Sequence, residues 1–226
     1  MEKPIVVFDL DGTLVDTADD LLSSLNHCLG IAGLATAEPV ALRRFVGMGG
    51  RVMIERAFAA QQRQLQEIQL AELVDAFFLH YTDNIPGLSQ PYPGVVDALD
   101  RFEAAGYVAA VCTNKHEKLS HALIGGLGLS HRFEAICGAD TFTFRKPDPR
   151  HLRETIVRAG GDPRRAIMVG DSQTDIDTAK AAGIPVVAVD FGYTERHVRE
   201  FEPSHIISHY DELTVELAER LLGVAA

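Results

Sequence analysis

Residues 4–16 read PIVVFDLDGTLVD, an apolar run that leads directly into two aspartates. The part from Pro4 to Leu10 is nearly continuous in apolar residues, which is typical of a parallel strand buried on both faces. Five later stretches have a similar character: Tyr107–Thr113, Glu134–Gly138, Ala166–Gly170, Val186–Asp190 and His205–Ser208. Amphipathic segments lie between them, beginning near Gly94 and covering roughly 117–128, 149–159, 175–182 and 211–222. This alternation predicts an α/β fold with a doubly wound, Rossmann-like parallel sheet.

The stretch that follows the first strand breaks the alternation. Residues 16–82 contain no convincing strand, and their apolar residues keep helical spacing. Thr17 and Asp20 resemble a capping box, a second helix is predicted from Pro39, and a third after Gly49-Gly50. We therefore predict a small α-helical cap domain at 16–82, inserted into an α/β core made of 1–15 and 83–226. An insertion at this point is expected over the carboxyl ends of the strands, where open α/β sheets bind ligands.

Carboxylates accumulate at two of the predicted strand ends. Asp9 and Asp11 follow the first strand, and alternating positions on an extended segment direct both side chains to one region. At about 4 Å and an effective dielectric constant near 20, two carboxylates repel each other by about 4 kcal/mol. Asp171 and Asp175 follow another strand in GDSQTD at 170–175. Such a group of oxygen ligands predicts a Mg²⁺ site, although Asp175 could instead cap the next helix.

Two other segments suit a phosphate group. Thr113 and Asn114 end the second core strand with a hydroxyl and an amide, which can donate to phosphate oxygens. Lys146 precedes Pro147, which restricts the loop, and Pro149 can open a helix. We interpret Thr113, Asn114 and Lys146 as substrate-binding residues.

In this order, the four segments resemble the haloacid dehalogenase superfamily over nearly the whole chain. DLDGTLVD at 9–16 is similar to the first motif of that superfamily, Thr113 to the second, Lys146 to the third and GDSQTD to the fourth. The resemblance implies that Asp9 attacks phosphorus and forms an aspartyl-phosphate, while Asp11 is the acid/base. It also implies that Mg²⁺ is bound by Asp9, Asp171 and the backbone carbonyl of Asp11. The superfamily's small cap domain corresponds to the helical insertion.

Individual residues discriminate among the chemistries of that superfamily. Dehalogenases lack the acid/base aspartate two residues after the nucleophile, and Asp11 is present here. Phosphonatases form a Schiff base through a cap lysine, but no lysine lies between Lys3 and Lys115. Phosphatase, pyrophosphatase and phosphomutase of the β-phosphoglucomutase kind remain open.

Four short segments of the sequence suggest a substrate. RRFVGMGGR at 43–51, TNK at 113–115, RKPDP at 145–149 and DFGYTE at 190–195 are similar to phosphoglycolate phosphatases. This resemblance implies hydrolysis of a small anionic phosphate ester, 2-phosphoglycolate, to glycolate and phosphate. Arg43, Arg44 or Arg51 could meet its carboxylate, or the amides at a helix start near Gly49 could, and the sequence does not indicate which arginine, if any, faces the substrate.

Composition restricts the partners and the compartment. The 226 residues carry a formal net charge of −11, which argues against nucleic acid or an anionic membrane as the main partner. Cys28, Cys112 and Cys137 have no CxxC spacing and are expected to be buried, reduced thiols. The acidic pair comes too early for a signal peptide, and no apolar run reaches bilayer length. We expect a soluble, cytoplasmic protein, either a monomer or a homodimer.

Overall fold

The computed structural model describes residues 2–38, 49–194 and 196–223. The chain divides into two compact units, Met1–Asp16 with Pro91–Ala226, here called the core unit, and Thr17–Gln90, the helical unit. The boundary expected between residues 82 and 83 falls inside a helix, Glu67–Asn84. That helix still buries Phe77 and Tyr81, so its last turns continue the packing of the helical unit, and the chain returns to the core unit after Gln90.

Six of the eight strands in the described residues follow the predicted apolar runs, and two strands of two residues each, Val15–Asp16 and Gln90–Pro91, were not predicted. In chain order they are β1 (Lys3–Phe8), β2 (Val15–Asp16), β3 (Gln90–Pro91), β4 (Val108–Cys112), β5 (Ala135–Cys137), β6 (Gly161–Gly170), β7 (Val186–Val189) and β8 (His205–Ile207). Strand β6 begins at Gly161 rather than Ala166, and its register against β1 shifts between Lys3 and Ile5.

The α-helices of the described residues separate most of these strands. In chain order they are α1 (Ala18–Ile31), α2 (Gly50–Ala60), α3 (Glu67–Asn84), α4 (Val95–Ala104), α5 (Glu117–Gly126), α6 (Pro149–Arg158), α7 (Gln173–Ala182) and α8 (Val215–Leu221). The helix predicted from 211 begins later, because Tyr210–Glu212 forms a 3₁₀ turn and the Thr214 side chain caps α8.

Six of the described strands form one parallel sheet in the order β5-β4-β1-β6-β7-β8, which confirms the predicted doubly wound α/β class. Strand β1 is central, and its Ile5 lies opposite Val108 of β4 and Ala166 of β6. The chain runs from β1 to β4 and β5 on one side and then crosses to β6 on the other. Open α/β sheets bind ligands at the carboxyl ends of the strands beside such a reversal.

Burial explains why β1 can occupy the centre of the sheet. Residues 5–8 are 0% exposed, so both faces of the strand are covered. Helices α6 and α7 contribute Leu152, Ile156, Ile176 and Ala179 to the hydrophobic core that includes Ile5 and Val7. Complete burial of each large aliphatic side chain stabilises a fold by about 1.5–3 kcal/mol. The aspartate that follows β1 is therefore attached to a rigid element.

In the helical unit, α1 and α2 both pack against α3. Their buried faces include Leu21, Leu25, Leu29, Met53, Phe58, Leu73, Phe77 and Tyr81. A Cβ atom on Gly50 would lie 2.7 Å from the Phe77 ring, so glycine allows the first turn of α2 to approach that ring. The helix predicted after Gly49-Gly50 is thus confirmed, while the one predicted from Pro39 lies outside the described residues.

The predicted capping box of Thr17 and Asp20 is wrong. Thr17 is the N-cap residue of α1, but its side chain makes no capping hydrogen bond. The Asp20 carboxylate instead accepts hydrogen bonds from the N–H groups of Leu88 (2.9 Å) and Ser89 (2.8 Å) and from the Ser89 hydroxyl (2.5 Å). Several donors to one carboxylate bind it more strongly than a single reciprocal cap, so Asp20 holds the segment that ends the helical unit.

Cys28, Cys112 and Cys137 are buried free thiols, as predicted. No helix within the described residues has both the length and the apolar character needed to cross a bilayer.

Candidate active site

Asp9 continues directly from β1. Its backbone N–H donates to the carbonyl of Val169 in β6 at 2.9 Å, which extends the strand pairing by one residue. The Leu10 carbonyl then accepts hydrogen bonds from the N–H groups of Thr13, Leu14 and Val15. This tight turn fixes the backbone that carries Asp9 and Asp11.

Gly12 is required by this turn for two reasons. Its φ angle is +81°, which L-residues rarely adopt. In addition, a Cβ atom at this position would lie 2.5 Å from Oδ2 of Asp171 and 2.8 Å from the Tyr193 ring. The glycine therefore lets the turn after β1 and the Asp171 carboxylate approach each other closely.

Lys146 lies between two carboxylates. Its Nζ is 2.9 Å from Oδ1 of Asp9 and 2.5 Å from Oδ1 of Asp175, and its side chain is 2% exposed. Burial alone would lower the pKa of Lys146, but the charges of Asp175 and Asp9 raise it above its ordinary value. Lys146 is therefore a permanent cation, as a phosphate-binding role requires.

Asp171 follows β6 and is held on both oxygens. Oδ1 accepts a hydrogen bond from the Thr13 hydroxyl at 3.0 Å, and Oδ2 accepts one from the Tyr193 N–H at 2.6 Å. Burial, together with the charges of Asp175 and Asp9, raises the pKa of Asp171 to about 8. Burial also raises the pKa of Asp9 to about 6, although Lys146 acts in the opposite direction.

These raised pKa values indicate a buried acidic cluster that Lys146 compensates only in part. One carboxylate oxygen from each of Asp9, Asp171 and Asp175 lies within 4.8 Å of the others. Carboxylate oxygens at this spacing suit a hard divalent cation, and such a cation would offset the remaining negative charge. The donor set therefore fits Mg²⁺. The predicted ligands Asp9 and Asp171 belong to the cluster, and its third carboxylate comes from Asp175. Ligation by the backbone carbonyl of Asp11 stays a prediction.

Asp175 caps the next helix, as the sequence allowed, and its carboxylate also lies in the acidic cluster. At the N-terminus of α7 it forms a capping box with Ser172, whose hydroxyl lies 2.6 Å from Oδ2 of Asp175. Its other oxygen contacts Lys146. Asp175 thus connects the start of α7 to the lysine and lies in the acidic cluster.

Thr113 and Asn114 lie where the sequence predicted, directly after β4. Thr113 is buried, and its N–H donates to the carbonyl of Cys137 in the neighbouring strand at 3.0 Å. The Asn114 side chain donates from Nδ2 to the carbonyl of Lys146 at 3.0 Å. One amide hydrogen of Asn114 therefore joins the segment after β4 to the segment before α6, and its contact with substrate stays a prediction.

Lys115 is the residue of this site that the sequence analysis did not single out. Its Nζ lies 3.0 Å from Oδ1 and 3.2 Å from Oδ2 of Asp11. The side chains of Lys115 and Asp11 are 6% and 17% exposed. The available signal was the position of Lys115 two residues after Thr113, which the sequence analysis used only as part of a local resemblance.

Of the three arginines predicted to meet the substrate carboxylate, the structure describes only one. Arg43 and Arg44 lie outside the described residues. Arg51 is about half exposed, and its guanidinium contacts Glu67 at 2.8 Å and Glu55 at 3.3 Å. Within the helical unit, the charge of Arg51 is therefore matched by two glutamates.

Comparison with known proteins identifies relatives of this chain. A family model described as haloacid dehalogenase-like hydrolase matches residues 6–189. A phosphoglycolate phosphatase of Mesorhizobium japonicum is 68% identical over 225 residues, covering 100% of this chain and 99% of the relative. Another phosphoglycolate phosphatase, of Agrobacterium fabrum, is 49% identical and covers 99% of this chain and 96% of the relative.

Solved structures agree on the fold. A crystal structure of a predicted phosphoglycolate phosphatase from Haemophilus somnus superposes with a TM-score of 0.86 at 29% identity, covering 94% of this chain and 97% of that chain. CbbY from Rhodobacter sphaeroides in complex with phosphate superposes with a TM-score of 0.76 at 23% identity, covering 93% and 96%.

Proposed function

Because the chain belongs to the haloacid dehalogenase-like hydrolase family, we propose that it hydrolyses 2-phosphoglycolate to glycolate and inorganic phosphate. The observation that carries the proposal is the Asp9 carboxylate, which lies at the end of β1 beside the buried Lys146 and within the acidic cluster. The names of the relatives from Mesorhizobium japonicum and Agrobacterium fabrum support the choice of substrate.

In the first half-reaction, a carboxylate oxygen of Asp9 attacks phosphorus, and the bond between phosphorus and the glycolate oxygen breaks. Asp11 transfers its proton to the departing oxygen, so glycolate leaves with a hydroxyl group. The products on the enzyme are an aspartyl-phosphate at Asp9 and a carboxylate at Asp11. The turn after β1 supports this assignment, because it fixes both aspartates on one short backbone segment.

In the second half-reaction, water attacks the phosphorus of the aspartyl-phosphate. Asp11 accepts a proton from that water, and the bond between phosphorus and the Asp9 oxygen breaks. Inorganic phosphate is released, Asp9 returns as a carboxylate, and Asp11 again carries a proton. Acid/base catalysis of this kind contributes about 10²–10⁴-fold to a rate.

The remaining residues bind and orient the phosphoryl group. Lys146 and Thr113 bind phosphoryl oxygens, and Asn114 is assigned to substrate binding beside them. Asp9, Asp171 and the backbone carbonyl of Asp11 would hold Mg²⁺, with the Asp175 carboxylate close enough to contribute. When bound, Mg²⁺ supplies positive charge that offsets the repulsion between the ester and the aspartates.

The carboxylate of 2-phosphoglycolate requires a cation or amide donors of its own. We assign it to Arg43, Arg44 or Arg51, or to the backbone amides near Gly49, on the strength of the local resemblance. The three buried free thiols support a reducing, cytoplasmic location. A net charge of −11 supports a small-molecule partner rather than nucleic acid or an anionic membrane, and monomer and homodimer remain equally compatible.

The proposal is tested by measuring phosphate release from a panel of small phosphomonoesters in the presence of Mg²⁺. We expect kcat/KM to be highest for 2-phosphoglycolate and activity to disappear with EDTA and return with Mg²⁺. Equal turnover of 2-phosphoglycolate and a generic ester would contradict the substrate assignment. Preference for pyrophosphate, or turnover that depends on a sugar bisphosphate, would instead indicate a pyrophosphatase or a phosphomutase.

The nucleophile is tested by Asp9→Asn. The amide cannot form the acyl phosphate, so we expect kcat to fall at least about 10⁴-fold, with circular dichroism showing a folded protein. Asp97→Asn is the matched control, because Asp97 is exposed at the start of α4, and it should keep wild-type turnover. Appreciable turnover by Asp9→Asn would refute the nucleophile assignment.

A further inference from the structure

We infer that Lys115 is a positioning residue for Asp11, with its ammonium holding the acid/base carboxylate in one orientation through both proton transfers. This inference rests on the proposed function, since it concerns the same reaction. It adds a second lysine to the site, with a different target from that of Lys146.

The burial of Lys115 distinguishes it from most lysines of the chain. Lys3, Lys118 and Lys180 are exposed, as is usual for lysine. The Lys115 side chain is only 6% exposed. A buried ammonium needs a compensating anion, and Asp11 provides one with both carboxylate oxygens. Lys146 meets the same need through Asp9 and Asp175.

The backbone of Lys115 is fixed on several sides, so its side chain starts from a defined point. Its N–H donates to the Thr113 hydroxyl oxygen at 3.2 Å, and its carbonyl accepts from the Ala139 N–H at 2.9 Å. Gly138 leaves the space that this packing needs, because a Cβ atom there would lie 2.6 Å from the Lys115 carbonyl oxygen. The backbone of Lys115 is therefore fixed by the segments that follow β4 and β5, while the backbone of Asp11 is fixed by the turn after β1.

Asp11 needs such a partner for a chemical reason. Among the described residues, Lys115 supplies the hydrogen bonds to the Asp11 carboxylate. When Asp11 is ionised, the ammonium contacts both oxygens. When Asp11 carries its proton, the ammonium can donate only to the unprotonated oxygen, so the proton is directed to the other one. Lys115 thereby determines which oxygen delivers and receives the proton.

The test compares Lys115→Met with Lys118→Met, a matched substitution of an exposed lysine on α5. With 2-phosphoglycolate, whose alkoxide must be protonated as it leaves, Lys115→Met should lower kcat about 10²-fold. Its KM should change by less than about threefold, because the phosphoryl group is bound elsewhere. Lys118→Met should match wild type, and Lys115→Arg should recover part of kcat because it keeps the charge.

p-Nitrophenyl phosphate separates the two half-reactions, because its leaving group departs without a proton. Lys115→Met should release one p-nitrophenol per enzyme in a rapid burst and then turn over slowly, since water activation by Asp11 is impaired. In an Asp11→Asn background, adding Lys115→Met should change kcat by less than about threefold, because a positioning residue has no effect without its target.

Two outcomes would overturn the inference: an unchanged kcat in Lys115→Met, with or without a raised KM, or additive losses in the double variant. If Lys115→Met fails to fold by circular dichroism, Lys115→Gln is measured in the same cycle under the same criteria. Failure of the proposed function is recognised separately, since wild type would then not hydrolyse 2-phosphoglycolate or Asp9→Asn would remain active.

Discussion

Asp171 is enclosed by groups that leave it almost no freedom. Thr13 and the Tyr193 N–H occupy its two oxygens, and Gly12 and Gly192 lie so close that a Cβ atom on either would collide with its carboxylate. Ligands held by partners of this kind bind a metal ion more tightly, and loss of such partners typically costs 10–100-fold in affinity. Gly12 and Gly192 therefore determine where the Asp171 carboxylate can lie, in addition to allowing the local backbone conformation.

Gly12→Ala tests this view at the residue scale. The methyl group would displace Asp171, so we expect the Mg²⁺ concentration for half-maximal activity to rise at least about tenfold and stability to fall by about 1–3 kcal/mol. Gly128→Ala is the control, because Gly128 also has a positive φ, +74°, but has no atom within 4 Å of its Cβ position. It should lose only about 1 kcal/mol and keep its Mg²⁺ dependence. Equal Mg²⁺ requirements in the two variants would contradict this account.

Some residues of the candidate site could be predicted from the sequence and others could not. Asp9, Asp171 and Lys146 could be placed in one site because each follows or precedes a recognisable strand or proline-containing loop. Lys115 was not, because its position two residues after Thr113 indicates that it lies near the site but not that its side chain reaches Asp11. Such a contact depends on the path of two loops, which no local pattern encodes.

At the scale of elements, the strands were predictable and the cap of α1 was not. Continuous apolar runs identify buried parallel strands because both faces must be covered. Asp20 has the spacing of a capping box, but its carboxylate is taken by Leu88 and Ser89. These N–H groups bind the Asp20 carboxylate in place of the local cap. The spacing of Thr17 and Asp20 in the sequence cannot reveal donors that lie 68 and 69 residues from Asp20.

Asp20→Ala should therefore destabilise the helical unit far more than a lost cap would. It leaves two backbone N–H groups without their acceptor, and we expect a loss of about 2–4 kcal/mol, measured by thermal or urea unfolding. Asp19→Ala removes an exposed acidic residue from the same first turn of α1 and should cost about 0.3–1 kcal/mol. Similar losses in the two variants would show that the contacts of Asp20 with Leu88 and Ser89 contribute little.

For the whole molecule, we expect the acidic cluster to link stability to pH and to Mg²⁺. Without the ion, the pKa of Asp171 is about 8 and that of Asp9 about 6, whereas an unfolded aspartate titrates near 3.9. The folded state thus binds more protons than the unfolded state between about pH 4 and 8, and stability falls as pH rises. Burial lowers the pKa of His151 to about 4, which acts in the opposite direction but only below its ordinary value of about 6.5.

Between about pH 6.5 and 8, His151 no longer contributes, so the pH dependence of stability in this range reports on the acidic cluster. In the metal-free protein, we expect the unfolding midpoint to fall by at least about 2 °C across this window. Excess Mg²⁺ should abolish the fall, because the bound cation favours the ionised carboxylates, and Asp171→Asn should abolish it without Mg²⁺. A midpoint that is flat in the metal-free wild type would contradict the raised pKa of Asp171.

The central position of β1 in the sheet also has a consequence for the order in which the protein forms. Ile5 pairs with Val108 and Ala166, so β1 acquires its second neighbour only after β6 has been made. At about 5–20 residues per second, translation from β1 to the end of β6 takes about 8–30 s. During that interval this strand, whose residues 5–8 are fully buried in the finished fold, has no completed sheet around it. Asp9 at its end therefore reaches its final environment only long after it has been synthesised.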